Sequence, residues 1–142
     1  MKNSQQALSS ILKTTQMGQL GIRSVLESRM RPNLRQALEE QLKEYDRIET
    51  EAHTLACQRG WELPELDPAI RAMTNMMTRI KVKGSGTESR IADMMIQGNT
   101  KGMIQQTKNA RRFPHADMPI SALNQKLLDT ENANIRQMIR FL

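Results

Sequence analysis

Cysteine is almost absent from this sequence of 142 residues, which contains only Cys57. A single cysteine excludes an internal disulfide and is typical of proteins in a reducing compartment. Long apolar runs are also missing, because no window approaches the ~20 apolar residues that a membrane-spanning helix needs. The first residues, MKNSQQALSSILK, lack the apolar run and the small-residue cleavage site of a secretory signal. We therefore expect a cytoplasmic protein with no membrane span.

Aromatic residues are nearly as rare, since the chain has one Trp, one Tyr and two Phe. Charge is uneven: residues 1–71 hold ten basic and ten acidic side chains, whereas residues 72–142 hold eleven and five. The net charge of +6 therefore comes from the second half, where a basic surface could attract phosphates. Binding of single-stranded nucleic acid also calls for exposed aromatic rings. With so few rings we prefer a solvated basic face and keep a basic-surface nucleic-acid binder as an alternative.

The five prolines fall between segments whose apolar residues recur with the 3.6-residue period of a helix. The pattern predicts helices over residues 4–29, 33–59, 68–81, 88–112 and 121–141, with no strand. Four of these helices are long enough to span roughly 30–40 Å at 1.5 Å per residue. Short turns join the first two long helices and the last two, and residues 60–87 join the pairs. Two hairpins connected by one long crossover is the ferritin-like chain order.

Three stretches carry a likeness to known proteins: TTQMGQLGIRSVL (14–26), LEEQLKEYDRIETEAHTL (38–55) and IADMMIQGNTKGMI (91–104). In them the chain resembles the ferritin-like superfamily and is similar to a group of small bacterial members of unknown function. The resemblance covers nearly the whole chain. It implies one domain over residues 1–142, an all-α ferritin-like four-helix bundle with a short helical crossover between helices 2 and 3. It implies little about function, because one fold hosts many functions.

Di-iron proteins of this architecture place one Glu on each of two helices and Glu-x-x-His on each of the other two. This sequence has Asn99 at the middle of the third long helix, and the last helix carries Glu131 followed by Asn134 instead of His. Glu49 and His53 lie one helical turn apart on helix 2, but on the flank of its apolar stripe, where a solvated face is the preferred interpretation. We therefore expect no di-iron centre and no cofactor. The alternative is a single metal ion held by Glu49, His53 and Glu131.

Polar residues also fall on the inferred inner stripes near the helix midpoints. They are Thr15, Gln19, Gln41, Tyr45, Asn99, Gln106, Glu131 and Asn134. Because buried polar groups must find partners, we expect a polar core layer in which Tyr45, Asn99, Glu131 and Asn134 meet. Two interpretations stay open: a hydrogen-bond network that fixes the alignment of the helices, and a pocket for a small ligand or one metal ion.

Methionine is abundant, with eleven residues. Six of them concentrate in the crossover and third long helix: Met73, Met76, Met77, Met94, Met95 and Met103. Thioethers suit Cu(I), yet methionine is also an adaptable filler of contacts, and we prefer core packing or a homodimer patch to a copper site. The sequence as a whole favours a non-catalytic binding or structural protein over an enzyme. A metal-binding protein is the alternative, and the partner is not identified.

Overall fold

The computed structural model describes residues 2–64 and 87–142, which form four long α-helices and no strand. The helices are α1 (Lys2–Leu26), α2 (Pro32–Gln58), α3 (Thr87–Arg112) and α4 (Met118–Ile139). The prediction of an all-α four-helix bundle is confirmed for this part of the chain. The predicted crossover helix over residues 68–81 lies outside the described residues.

The helix boundaries follow from local chemistry. Pro32 begins α2, where its missing N–H costs nothing, and Gly60 follows α2 with φ 67°, a left-handed conformation that favours glycine. We predicted that the last helix starts at Ser121, but it starts at Met118, because Pro119 fits the first turn of a helix. The Arg35 guanidinium donates at 3.1 Å each to the carbonyl oxygen of Leu26, the last residue of α1, and to that of Ser28 in the following turn.

Side-chain contacts between helices give their directions. Gln16 and Gln19 of α1 contact Glu49 and Asp46 of α2 in reversed order, so α1 and α2 are antiparallel. The contact of Asn109 with Ala7 and the approach of Met95 to Gly21 make α1 and α3 antiparallel as well. Since both α2 and α3 oppose α1, they run parallel to each other. Parallel middle helices are what two hairpins joined by a long crossover require.

The third and fourth helices pair in the same way. Asn99 lies near Asn134, and Gln106 lies near Asn124, so α3 and α4 are antiparallel. Across the bundle, Tyr45 and Gln41 of α2 contact Asn134 and Gln137 of α4. Each helix therefore packs against two antiparallel neighbours, and the parallel helices lie on the diagonals, where α1 and α4 contact each other more than α2 and α3 do.

The two hairpins bury residues with the same spacing. The buried positions of α2 are Leu34, Ala37, Leu38, Gln41, Tyr45, Ile48 and Ala52, and those of α4 are Ile120, Leu123, Asn124, Leu127, Glu131, Asn134 and Met138. The buried positions of α1 and α3 also share their spacing. They are Ala7, Leu8, Ile11, Thr15, Ile22 and Val25 in α1, and Ile91, Ala92, Met95, Asn99, Gln106 and Asn109 in α3. The bundle is therefore approximately two-fold symmetric, with each hairpin filling half of one core.

The symmetry holds for position but not for chemistry. Ile48 of the first hairpin corresponds to Asn134 of the second, and Tyr45 corresponds to Glu131. The same exchange of an apolar residue for an amide occurs between Leu38 and Asn124. The second hairpin thus brings carboxyl and amide groups into a core that the first lines mainly with apolar side chains.

Candidate functional site

A buried polar cluster joins three helices at the middle of the bundle. The Tyr45 hydroxyl of α2 donates to Asn99 Oδ1 of α3 at 2.9 Å. Asn134 Nδ2 of α4 lies 3.3 Å from the Tyr45 hydroxyl and 3.3 Å from Asn99 Oδ1. Asn99 Nδ2 donates to the Met95 carbonyl of its own helix at 2.7 Å. With Glu131, which is 2% exposed, these residues are the four that we predicted to meet in the core.

Two glycines let the cluster fit between the helices. A Cβ on Gly18 would lie 2.6 Å from the Tyr45 ring, and a Cβ on Gly102 would lie 2.8–3.0 Å from the Glu131 carboxyl group. The ring and the carboxyl group therefore rest directly on the backbones of α1 and α3. Gly18 and Gly102 also occupy equivalent positions in the two hairpins, so each hairpin has one glycine that lets a side chain approach the helix backbone closely. At these two contacts no room is left for a ligand between the glycine backbone and the Tyr45 ring or the Glu131 carboxyl group.

The environment of Glu131 favours its protonated form. Burial raises the pKa of Glu131 to about 8, although the hydrogen bond that an ionised Glu131 would accept from Tyr45 acts in the opposite direction. Burial, together with the charge of Glu131, also raises the pKa of Tyr45 well above its usual value. Among the described residues Glu131 is the only buried carboxyl group, and no Lys, Arg or His side chain is buried. A single buried carboxyl group without a cationic partner holds its proton at neutral pH.

The protonated carboxyl group resolves how one hydroxyl serves two neighbours. Tyr45 has one proton, which it donates to Asn99 Oδ1. A neutral Glu131 can donate its own proton to the Tyr45 oxygen. The direction of donation then runs from Glu131 to Tyr45 to Asn99, and every group has a partner. An ionised Glu131 would instead compete with Asn99 for the Tyr45 proton.

A second polar cluster lies beside the first, toward the end of the bundle. Asn124 Oδ1 of α4 accepts from Gln106 at 2.8 Å and from Asn109 at 2.9 Å, and Asn124 Nδ2 donates to the Gln106 carbonyl at 3.0 Å. Asn109 also reaches the Ala7 carbonyl of α1 at 3.2 Å. We predicted an inward position for Gln106 but not for Asn109 or Asn124. Helical spacing in the sequence could have placed both inward. Asn109 lies one turn after Gln106, and Asn124 lies on the same stripe as Leu127 and Glu131.

The remaining polar candidates have separate partners. Thr15 donates to the Ile11 carbonyl of its own helix at 2.8 Å. Gln19 donates to Asp46 at 2.8 Å, so its amide points to the α1–α2 surface and not to the Tyr45 cluster. Gln41 donates to Gln137 at 2.8 Å across α2 and α4. The predicted polar layer is therefore a set of local pairs around one central cluster.

The three residues considered for a single metal ion lie in different surroundings. Glu49 is half-buried and accepts from Gln16 and Gln19 at 3.3 and 3.4 Å, while His53 is exposed on the flank of α2. Glu131 points into the core. In residues 2–64 and 87–142, no three His, Cys, Asp or Glu side chains come together as a metal site. Of the six concentrated methionines, Met73, Met76 and Met77 lie outside the described residues.

Comparison with protein-family models, with curated proteins and with solved structures finds no match to this chain. The geometry of the site is therefore the basis for any function. None of the helices in the described part of the chain is sufficiently long and apolar to cross a bilayer.

The cluster predicts unequal effects for two glutamates. Glu131→Ala should lower the free energy of unfolding by roughly 1–3 kcal/mol near pH 6, because it removes a buried hydrogen-bonding group. Glu51→Ala should change it by less than about 0.5 kcal/mol, because Glu51 only forms an exposed ion pair of 3.6 Å with Lys126. Urea unfolding of both variants measures the difference. Equal effects would show that Glu131 is not an integral part of the core.

Proposed function

We propose that this protein is a ferritin-like bundle in which a hydrogen-bonded cluster stands where di-iron members hold their metal, and that it is a non-catalytic binding or structural protein. The observation that carries the proposal is the central cluster itself. Its one buried carboxyl group is neutral near pH 7, and its other polar groups are a phenol and two amides.

The helix alignment supports the comparison with a two-metal site. A di-iron bundle needs single ligands on two helices and ligand pairs spaced i, i+3 on the other two. In this bundle Thr15 and Asn99 occupy equivalent positions on α1 and α3, whereas Tyr45 with Ile48 and Glu131 with Asn134 form the equivalent i, i+3 pairs on α2 and α4. Glu131 is thus one carboxylate left among six ligand positions. On this view Glu49 and His53 are not the counterparts of metal ligands.

The cluster suits a structural role better than a catalytic one. Neutral amides cannot balance two cations in a core of low dielectric constant. Buried polar pairs can instead oppose sliding of one helix past another, because any shift breaks several bonds at once. The function then resides on the surface of a bundle whose core holds the helices in one alignment.

Iron loading tests the proposal directly. After incubation with ferrous iron and desalting, the wild-type protein should retain well under one iron per chain and show no oxygen-dependent absorbance. Metal analysis by mass spectrometry measures the first quantity and absorption spectroscopy the second. Two tightly held irons per chain, lost in Glu131→Ala, would instead establish a metalloprotein.

Restoring the ligands tests the assigned positions. The five substitutions Thr15→Glu, Tyr45→Glu, Ile48→His, Asn99→Glu and Asn134→His, added to the native Glu131, complete the di-iron pattern. The variant should bind close to two irons per chain and gain stability when loaded. The matched control carries the other four substitutions but keeps Ile48, so that the native His53 is the only histidine on α2. This control should bind less iron. A folded five-substitution variant without iron would contradict the assignment.

A further inference from the structure

Among the described residues, two helix segments without acidic side chains lie side by side on one side of the bundle. α1 contains no acidic residue from Lys2 to Leu26, and α3 contains none after Asp93. These two helices pack against each other antiparallel, so the acid-free second half of α3 lies beside the acid-free first half of α1. The contact of Ala7 with Asn109 fixes this alignment. The sequence placed the excess in the second half of the chain but could not show which helix of the first half lies next to it.

Four cations form this surface, which we call the cationic face: Lys13, Lys101, Lys108 and Arg112. All four are exposed. The three on α3 are spaced so that they lie on one side of that helix. Lys13 lies between Ala7 and Gly21 on α1, and is therefore level with the part of α3 between Met95 and Asn109 that carries Lys101.

The cationic face is not neutralised within the described part of the molecule. The ion pairs there use other cations, namely Arg23, Arg31, Arg47, Arg59 and Lys126. Neither Lys13, Lys101 nor Lys108 makes a hydrogen bond or an ion pair with a described residue. Arg112 lies over the Phe113 ring at 5.2 Å, which restrains its side chain, and it makes no ion pair with a described residue. Unpaired cations on a rigid surface attract a partner with regularly spaced negative charge.

We propose that the cationic face binds the phosphate backbone of duplex nucleic acid without reading its sequence. The row from Lys101 to Arg112 is about 16 Å long, and a DNA duplex presents one phosphate charge per ~1.7 Å of its axis. Duplex binding depends on the function proposed above in one respect only, namely that the activity of the bundle lies on its surface.

Single strands fit the face less well than duplexes. Their binding depends on aromatic rings that stack with bases. Of the four aromatic side chains, Tyr45 and Phe113 are buried, whereas Phe141 and Trp61, which lies under Arg59, are half-buried. The cationic face therefore offers positive charge but no ring on which a base could stack. Positive charge is sufficient for contacts with phosphates.

Acidic proteins and anionic membranes fit it less well too. A stable protein interface has apolar anchors that fill pockets, whereas the groove found among the described residues is on the far side, along Glu44 and α4. Peripheral membrane helices bury a continuous apolar face. Here α1 and α3 expose only Met17 and Ile104 as large apolar side chains.

The test measures binding of a labelled 20-base-pair DNA duplex by fluorescence anisotropy across a range of salt concentrations. The wild-type protein should bind with a log–log salt slope of roughly −3.6, from four phosphate contacts at about −0.9 each. Lys13→Gln, Lys101→Gln and Lys108→Gln together should bring the slope to about −1 and weaken binding at least ~10-fold at low salt.

The matched control changes three exposed cations elsewhere: Lys43→Gln, Arg136→Gln and Arg140→Gln. Both triple variants lose the same charge, and circular dichroism checks that both are folded. Equal weakening by the two triple variants would show a net-charge effect and overturn the proposal, as would absence of duplex binding by the wild type.

The competing partners are tested in the same assay. A duplex RNA should bind comparably, whereas single-stranded DNA, polyglutamate and vesicles with phosphatidylserine should bind more weakly. Tighter binding of any of these three, lost in the Lys13, Lys101 and Lys108 variant, would reassign the face and overturn the duplex proposal. Iron retention is measured separately, so failure here leaves the proposed loss of the metal site untouched.

Discussion

Raising the pH from about 5.5 to about 8.5 should lower the free energy of unfolding by about 3 kcal/mol through Glu131 alone. Burial raises the pKa of this carboxyl group from 4.5 to about 8. Between these two values the folded state holds a proton that the unfolded state has released. Stability therefore falls by ~1.4 kcal/mol per pH unit across this window. The stabilisation contributed by the protonated Glu131 is complete below pH ~4.5 and is lost above pH ~8, where the free energy of unfolding stops falling.

The variant Glu131→Gln isolates this effect. Its amide is neutral and similar in shape, so it can donate to the Tyr45 oxygen at every pH. The variant should match the wild type within about 1 kcal/mol near pH 5.5 and exceed it by roughly 2–3 kcal/mol near pH 8.5. Urea unfolding at several pH values measures both curves. Glu51→Gln, on the exposed side of α2, serves as the control and should follow the wild type. Parallel curves for Glu131→Gln and the wild type would contradict a neutral Glu131.

The position of Glu131 could be predicted because helix periodicity carries through polar residues. Glu131 and Asn134 continue the spacing of Leu127 and Met138, so the stripe alone placed them inward. Tyr45 follows the same reasoning on α2, between Leu38 and Ile48. The periodicity also placed Glu49 and His53 outside the stripe, in agreement with a half-buried Glu49 and an exposed His53.

The partners within the core could not be predicted, because they depend on how far each helix is shifted along its neighbour. A stripe shows that Gln19 and Gln41 face inward, but not that Gln19 turns to Asp46 and Gln41 to Gln137. The role of Gly18 and Gly102 was likewise hidden. A glycine within a helix lowers helix stability wherever it lies, and only the neighbouring helix shows that these two permit close approach.

The correspondence of the hairpins was also beyond sequence comparison. Tyr45 and Glu131, or Ile48 and Asn134, share a position but neither size nor polarity. Identical spacing of buried residues is a property of the fold, because both hairpins must fill equal halves of one core. The structure thus separates what the core requires of a position from the chemistry that a particular residue brings to it.

Replacing Gly18 by alanine should destabilise the bundle by roughly 2–3 kcal/mol, through overpacking of the Tyr45 ring. The added Cβ would lie 2.6–3.0 Å from three ring carbons, and the ring is held in place by its bond to Asn99. Gly98→Ala is the matched control, because this glycine is also within a helix but has nothing within 4 Å of an added Cβ. It should raise the free energy of unfolding by roughly 0.5–1 kcal/mol, since alanine is the better helix former.

A second substitution identifies Tyr45 as the cause. In a Tyr45→Leu background the shorter side chain should leave room at Gly18, so Gly18→Ala should lose most of its cost and approach the stabilising effect of Gly98→Ala. Thermal or urea unfolding of the two single variants and the double variant gives the interaction energy between the positions, which we expect to be at least ~1.5 kcal/mol. Additive effects would mean that the Tyr45 ring does not rest on the α1 backbone, and that the cluster is held by its hydrogen bonds without close helix packing.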